Sequence, residues 1–351
     1  MPLFFPKSYS VLNFKGGFKH TSDYTDLSDT ETADALNVEY GPDGDITSRK
    51  GSTRILNEEL LSTTGTTSRP ITGHIHFDKL GGASSTLHVI AAGNSLFDYR
   101  ETSKTRILSG LEDDSNTFWS FVQLQDPRSA SDDVIFGVNG VNAPIAYNGS
   151  ATAIYVSAIT SATQVPIGKH ILGHQNRIYI ANIVDSTDAD SPVKVFRSEL
   201  GTDGAPNPHR FTESFFVGGS SPEGVIQGQM LLRDSIYYYL ENAIYRFNPG
   251  VGDTSNLTKV KGNIGLMAPN SLVNTGNNHL FLSQRGIYSF DGTNVVHISE
   301  KVDTLFLDQS NRSQLKYAKG VYDFARNLYI LYFPYGDSDR NNYAIAFDMR
   351  S

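Results

Sequence analysis

Apolar positions along this chain fall in short, paired runs, and the helical spacing of three and four is nearly absent. The clearest pair is Leu280-Phe281-Leu282-Ser283, a turn at Gln284-Arg285, then Gly286-Ile287-Tyr288-Ser289-Phe290 closing on Asp291-Gly292. Ile236-Tyr237-Tyr238-Tyr239-Leu240 followed by Ala243-Ile244-Tyr245-Arg246-Phe247 is a near copy, and Leu87-His88-Val89-Ile90-Ala91-Ala92 followed by Ser95-Leu96-Phe97-Asp98-Tyr99 is another. Three looser copies begin at Val134, Ile178 and Leu328 and reach their second runs at Ile145, Val195 and Ile345. The six starting residues recur at roughly 44 to 58 positions, close to the spacing of four-stranded propeller blades.

A further strand is expected before each anchor, for example at 71–77, 118–124, 170–173 and 321–324, and another after it, as at 153–157 and 295–299. The pattern therefore predicts an all-β chain: a β-propeller of about six blades, each of four antiparallel strands. Asn139-Gly140, Asn148-Gly149 and Asp291-Gly292 read as tight hairpin turns, because these pairs tolerate positive φ. Residues 302–307 are the one short stretch with a helical look. Residues 1–50, polar and Asp-rich, are expected to form an extended N-terminal arm that orders against the propeller or a neighbouring protein; 51–351 are assigned to the propeller. The sixth unit stops at Phe347-Asp348-Met349-Arg350-Ser351 without a fourth strand. Either Gly51-Ser52-Thr53-Arg54-Ile55-Leu56 supplies it and closes the ring, or the strand lies beyond Ser351.

Composition narrows the function. The 351 residues are 39% hydrophobic and 19% charged, ordinary values for a folded chain. With no cysteine, disulfides and thiolate metal sites are excluded. No apolar run approaches the ~18 residues of a membrane span, and the N-terminus lacks the basic-then-apolar order of a signal peptide. A net charge of -8 is the opposite of a nucleic-acid grip.

Two groups of segments resemble a known family. The first comprises Gly16-Gly17, Thr21-Ser22-Asp23-Tyr24-Thr25-Asp26-Leu27, Ala33-Asp34-Ala35-Leu36-Asn37-Val38-Glu39-Tyr40 and Gly44-Asp45-Ile46-Thr47-Ser48-Arg49-Lys50-Gly51. The second comprises Arg285-Gly286-Ile287-Tyr288-Ser289-Phe290-Asp291-Gly292 and His297-Ile298-Ser299-Glu300-Lys301-Val302. Together they resemble the tail nozzle or hub β-propeller proteins of short-tailed bacteriophages. The resemblance implies a structural virion protein of the tail, assembled in the bacterial host cytoplasm. It also implies a homo-oligomeric ring, a hexamer, on the DNA-ejection conduit. Its partners would be other tail proteins (adaptor, fibres or spikes), with the genome passing without adhering and with no membrane contact. The alternative is a glycan-binding propeller at a receptor-binding tail tip.

Candidate chemistry is sparse. His74 and His76 share a strand face that His88 can approach from its neighbour, a conceivable metal site, although hydrogen-bonded or solvated histidines are the preferred reading. His170 and His174 have the spacing of a helical zinc pair in a stretch that reads as strand. Asp185, Asp188 and Asp190 form an oxygen-rich loop without the Gly and distant Glu of a calcium loop. Glu112, Asp113, Asp114, Asp132 and Asp133 offer carboxylate pairs of the kind glycoside cleavage uses, but in turn-like polar stretches. Gly81-Gly82 and Gly218-Gly219 are a weak kelch-like hint, and Tyr237, Tyr238, Tyr239 and Tyr245 are read as packing between blades before sugar stacking. Asn148-Gly149-Ser150 and Asn256-Leu257-Thr258 match glycosylation acceptors that mean nothing without export. The single Trp119 argues against extensive sugar stacking. No catalytic residue, cofactor-binding residue, metal ligand or cofactor is assigned, and the chain is read as not an enzyme.

Overall fold

The computed structural model describes residues 16–20, 27–28, 30–33, 35–40, 45–49, 70–77, 87–100, 103–112, 117–125, 133–150, 152–156, 165–200, 206–207, 210–219, 222–250 and 256–350. The chain is a six-bladed β-propeller. Contacts divide it into two compact units, one holding Glu58–Leu266 and the other Met1–Asn57 with Met267–Ser351.

The first of these carries blades 1 to 4, each with its strands paired antiparallel in chain order. Blade 1 is Ile71–Phe77, Leu87–Ala92, Ser95–Arg100 and Ser103–Ser109. Blade 2 is Ser120–Gln125, Asp133–Val138, Ile145–Tyr147 and Ile154–Tyr155. In blade 3, a short antiparallel pair, Glu199–Leu200 with Pro206–Asn207, interrupts the path from Lys194–Arg197 to the last strand, Glu213–Phe216. Blade 4 runs from Ile226–Leu232 to Asn256–Gly262. The second strand of each blade is buried on both faces: Ile135 packs with blade 1, while Val134 and Phe136 pack with blade 3. Likewise Tyr179 and Ala181 face blade 4, and Ile178 and Ile180 face blade 2. Two buried faces explain why these strands read as continuous apolar runs instead of alternating.

The other unit carries blades 5 and 6. Blade 5 is Val273–Asn274, His279–Ser283, Gly286–Phe290 and Val295–His297. Blade 6 has three strands among the described residues, Lys319–Asp323, Leu328–Phe333 and Tyr343–Asp348. The segment 51–56, the expected closing strand, lies outside the described residues. Between these blades Leu280, Leu282, Ile287, Leu331 and Phe333 form one buried cluster, and Tyr329 donates its hydroxyl to Ser271 O at 2.9 Å. The stretch with a helical look becomes a 3-10 turn, Glu300–Val302, running into a one-turn α-helix, Asp303–Leu307.

The turns at Asn139, Asn148 and Asp291 differ from the tight hairpins expected of their sequences. Asn139, Asn148 and Asp291 each accept backbone N–H bonds on Oδ1 from residues two or three positions ahead, so these are Asx turns in which only the following glycine takes positive φ. The two-residue hairpin of blade 3 is instead Gln175-Asn176, with φ of 48° and 58°. Neither residue is a glycine; pairing on both sides of the turn holds the backbone there.

Described parts of the N-terminal region lie against the blade 5–6 unit. Gly17–Phe18 pairs in parallel with Glu31–Thr32, and Val38–Tyr40 pairs antiparallel with Ile46–Ser48. His20 N donates to Lys301 O at 3.0 Å, Lys301 Nζ donates to Gly16 O at 3.1 Å, and the same ammonium meets Glu31 at 2.7 Å. Arg326 bridges Glu39 and Asp323.

Candidate functional site

The blade 5 hairpin turns at Gln284-Arg285 and enters its next strand through Gly286, whose φ is +133°. A Cβ at Gly286 would lie within 2.7 Å of Ser299 Oγ, Asp303 Oδ1 and His297 Nε2, so glycine is required both by conformation and by the close approach of three polar groups. Buried Ser299 accepts from Ile287 N at 2.8 Å and donates to Asp303 Oδ1 at 2.6 Å. His297 Nε2 lies 3.1 Å from Asp303 Oδ1 and 3.2 Å from Ser299 Oγ, and its ring stacks on Tyr288 at 4.7 Å. Burial, with Asp303 nearby, raises the Tyr288 hydroxyl above its ordinary pKa.

Serine, histidine and aspartate together invite comparison with a nucleophile relay. The geometry is different. A relay needs the imidazole to use one nitrogen on the hydroxyl and the other on the carboxylate. Here one nitrogen meets both, and the hydroxyl already serves a backbone N–H. The group is a polar knot that fixes the hairpin to the helical turn. Ser198 does the same for Ile178 N in blade 3, at 2.8 Å.

Beside the knot opens a depression of about 570 Å³, lined by Gln284, Arg285, Tyr288, His297, Asp303, Leu307 and Arg312. In the sequence Arg285, Tyr288 and His297 stand out only as parts of a motif, and Asp303 and Arg312 do not stand out. The lone signal for Asp303 was the helical look of 302–307; Arg312 left none.

Elsewhere the histidines of blade 1 do meet. His74 Nε2 and His88 Nδ1 are 2.9 Å apart, and the His76 and His88 rings are 5.1 Å apart. Burial and then His76 hold His88 below its ordinary pKa. Among the described residues no group of three His, Cys, Asp or Glu is arranged to hold a metal ion. His170 and His174 lie on the strand Gly168–His174, each with a buried Nε2 lacking a partner among the described residues. Burial, with help from Lys169, pushes His170 down to about 4.

Asp185 accepts from Thr187, and Asp188 from Asp190 N and Lys194, so hydrogen bonds within the loop engage these carboxylates. Glu112 N donates to Asn142 Oδ1 at 3.2 Å, and buried Asp133 accepts from Gln123 Nε2 at 3.2 Å. Asp113, Asp114, Asp132, Gly81 and Gly82 lie outside the described residues. Tyr237, Tyr238 and Tyr239 are buried, and Tyr245 donates to Glu223 at 2.5 Å. Trp119 is buried and stacked on Phe121 at 5.7 Å. Gly218 takes positive φ beside Glu223, Asn148 closes an Asx turn, and Asn256 opens the last strand of blade 4.

No family model matches the chain, and no curated protein does. Solved structures do. A structure of BBS1N in complex with ARL6DN is 12% identical with a TM-score of 0.43, covering 84% of this chain and 83% of that one. A humanized mutant of the Chaetomium thermophilum Polycomb Repressive Complex 2 is 9% identical with a TM-score of 0.44, covering 80% and 67%. The extracellular domain of BT4673 from B. thetaiotaomicron is 12% identical with a TM-score of 0.37; the match covers 80% of this chain and spans 39% of the length of that structure. At these values the neighbours carry no functional argument.

Proposed function

We propose that this protein is a structural component of a bacteriophage tail, a nozzle or hub element forming part of the DNA-ejection conduit and a docking platform for other tail proteins. One observation supports the reading above others. The two groups of segments that carry the family resemblance lie far apart in the chain, yet a hydrogen bond joins them directly, from Lys301 Nζ to Gly16 O at 3.1 Å, and residues flanking them add two more contacts, His20 Nδ1 with Thr304 Oγ1 at 2.6 Å and Lys301 Nζ with Glu31 at 2.7 Å. Contact between segments that resemble one family supports reading them together as one unit.

The net charge of -8 suits a conduit wall in a homo-oligomeric ring, because a like-charged surface does not hold the polyanionic genome. Native mass measurement of the purified chain, with its location in imaged virions, tests the proposal. A ring of copies, a hexamer, located in the tail is expected. A strictly monomeric protein missing from purified virions would overturn it.

A further inference from the structure

The depression beside the blade 5 knot combines features that a spacer does not need. Arg285 and Arg312 both line it, both are exposed, and neither has a hydrogen-bond or ion-pair partner among the described residues. Other cations of the same unit are engaged: Lys301 pairs with Glu31, Arg326 with Glu39, and Arg350 with Asp348. Two free guanidiniums in one concavity form a receptor for a carboxylate or another planar anion, since each presents forked donors.

Asp303 narrows the ligand further. Its Oδ1 is taken by Ser299 and His297, while its Oδ2 has no partner among the described residues. A bare anion drawn in by the arginines would meet this carboxylate unfavourably. A molecule carrying a carboxylate and hydroxyls satisfies both, with its acid on the arginines and a hydroxyl donating to Asp303. The His297 ring, backed by Tyr288, and the Leu307 side chain supply apolar contact for a ring face. A volume of about 570 Å³ falls in the range of small-ligand pockets and admits one or two sugar rings. The knot makes the site rigid, because Ser299 is buried and Gly286 lets the polar groups pack directly on the backbone.

We infer that this depression is a binding subsite for an acidic sugar of the hexuronate type, held by Arg285 and Arg312 through its carboxylate and by Asp303 through a hydroxyl. The inference rests on the pocket alone and goes beyond the tail reading. Ligand-observed NMR titration of the full chain with D-glucuronate, D-glucose and acetate tests it. D-glucuronate is expected to bind weakly, with Kd of about 1 mM at low salt, and more loosely as ionic strength rises. Arg285→Ala and Arg312→Ala should each weaken binding by about 10-fold or more. Both side chains are exposed, so melting temperatures should match the unaltered protein. No binding of D-glucuronate, equal binding by the doubly substituted protein, or equally tight binding of D-glucose or acetate would overturn the assignment.

Discussion

Asp98 is a charged side chain with only 3% of its surface exposed, and its environment shows how the blades tolerate such groups. Arg100 pairs with it at 2.7 Å from the same strand, and Tyr147 of blade 2 donates to it at 2.6 Å. Burial, then the bond to Asp98, raises the Tyr147 hydroxyl well above the usual phenol range. Tyr147→Phe leaves a buried carboxylate short of one donor and should cost about 1–3 kcal/mol in urea unfolding. His170 makes a pH-dependent statement. Its folded pKa of about 4 lies below the ordinary 6.5, so the unfolded chain takes up the proton more readily. Stability is therefore unaffected above pH ~6.5 and falls as pH drops from there toward 4, by about 2 kcal/mol at pH 5. Urea midpoints at pH 7.5 and pH 5 check this, and His170→Gln should flatten the difference.

Among elements, the blade 5 hairpin and the helical turn after it depend on one another through the knot. Gly286→Ala meets both an unfavourable φ and three polar atoms within 2.7 Å, and should cost about 2 kcal/mol or more in a melting experiment while distorting the depression. Ser299→Ala removes the acceptor for Ile287 N and a donor to Asp303, with an expected loss of about 1–3 kcal/mol. The N-terminal strand pair is held more lightly. The hydrogen bond from Lys301 is the main cause lowering the Glu31 pKa. A depressed carboxylate contributes stability above its unfolded value near 4.3 and loses it as pH falls through the folded value. Lys301 is largely exposed, so the pair is worth at most about 1 kcal/mol. Lys301→Ala should speed hydrogen exchange at Gly17 and Phe18 while leaving the global melting temperature nearly unchanged.

For the whole molecule, the net charge of -8 gives an expectation independent of any single contact: at physiological salt the purified chain should not retard duplex DNA in a gel shift. A retardation abolished between about 50 and 200 mM salt would expose a basic face that the net charge conceals. The blades themselves were legible in the sequence because strands buried on both faces must be apolar throughout. Val134 to Val138 and Ile178 to Ile183 therefore announced themselves, as did the packing of Tyr238 against blade 3. The Gln175-Asn176 hairpin was not legible, since pairing on either side imposes its positive φ against local preference. The meeting of His74 and His88 followed from strand alternation and neighbouring pairing, which sequence spacing encodes. The depression did not. Gln284 and Arg285 come from a turn, His297 from a strand, Asp303 from a helix and Arg312 from the segment beyond it. Period and composition alone thus determined the repeated blade and the acidity of the chain, because each reflects short-range spacing or a simple count. Tertiary structure alone decided which polar side chains converge, because that depends on where separate elements stop and on the space a single glycine leaves between them.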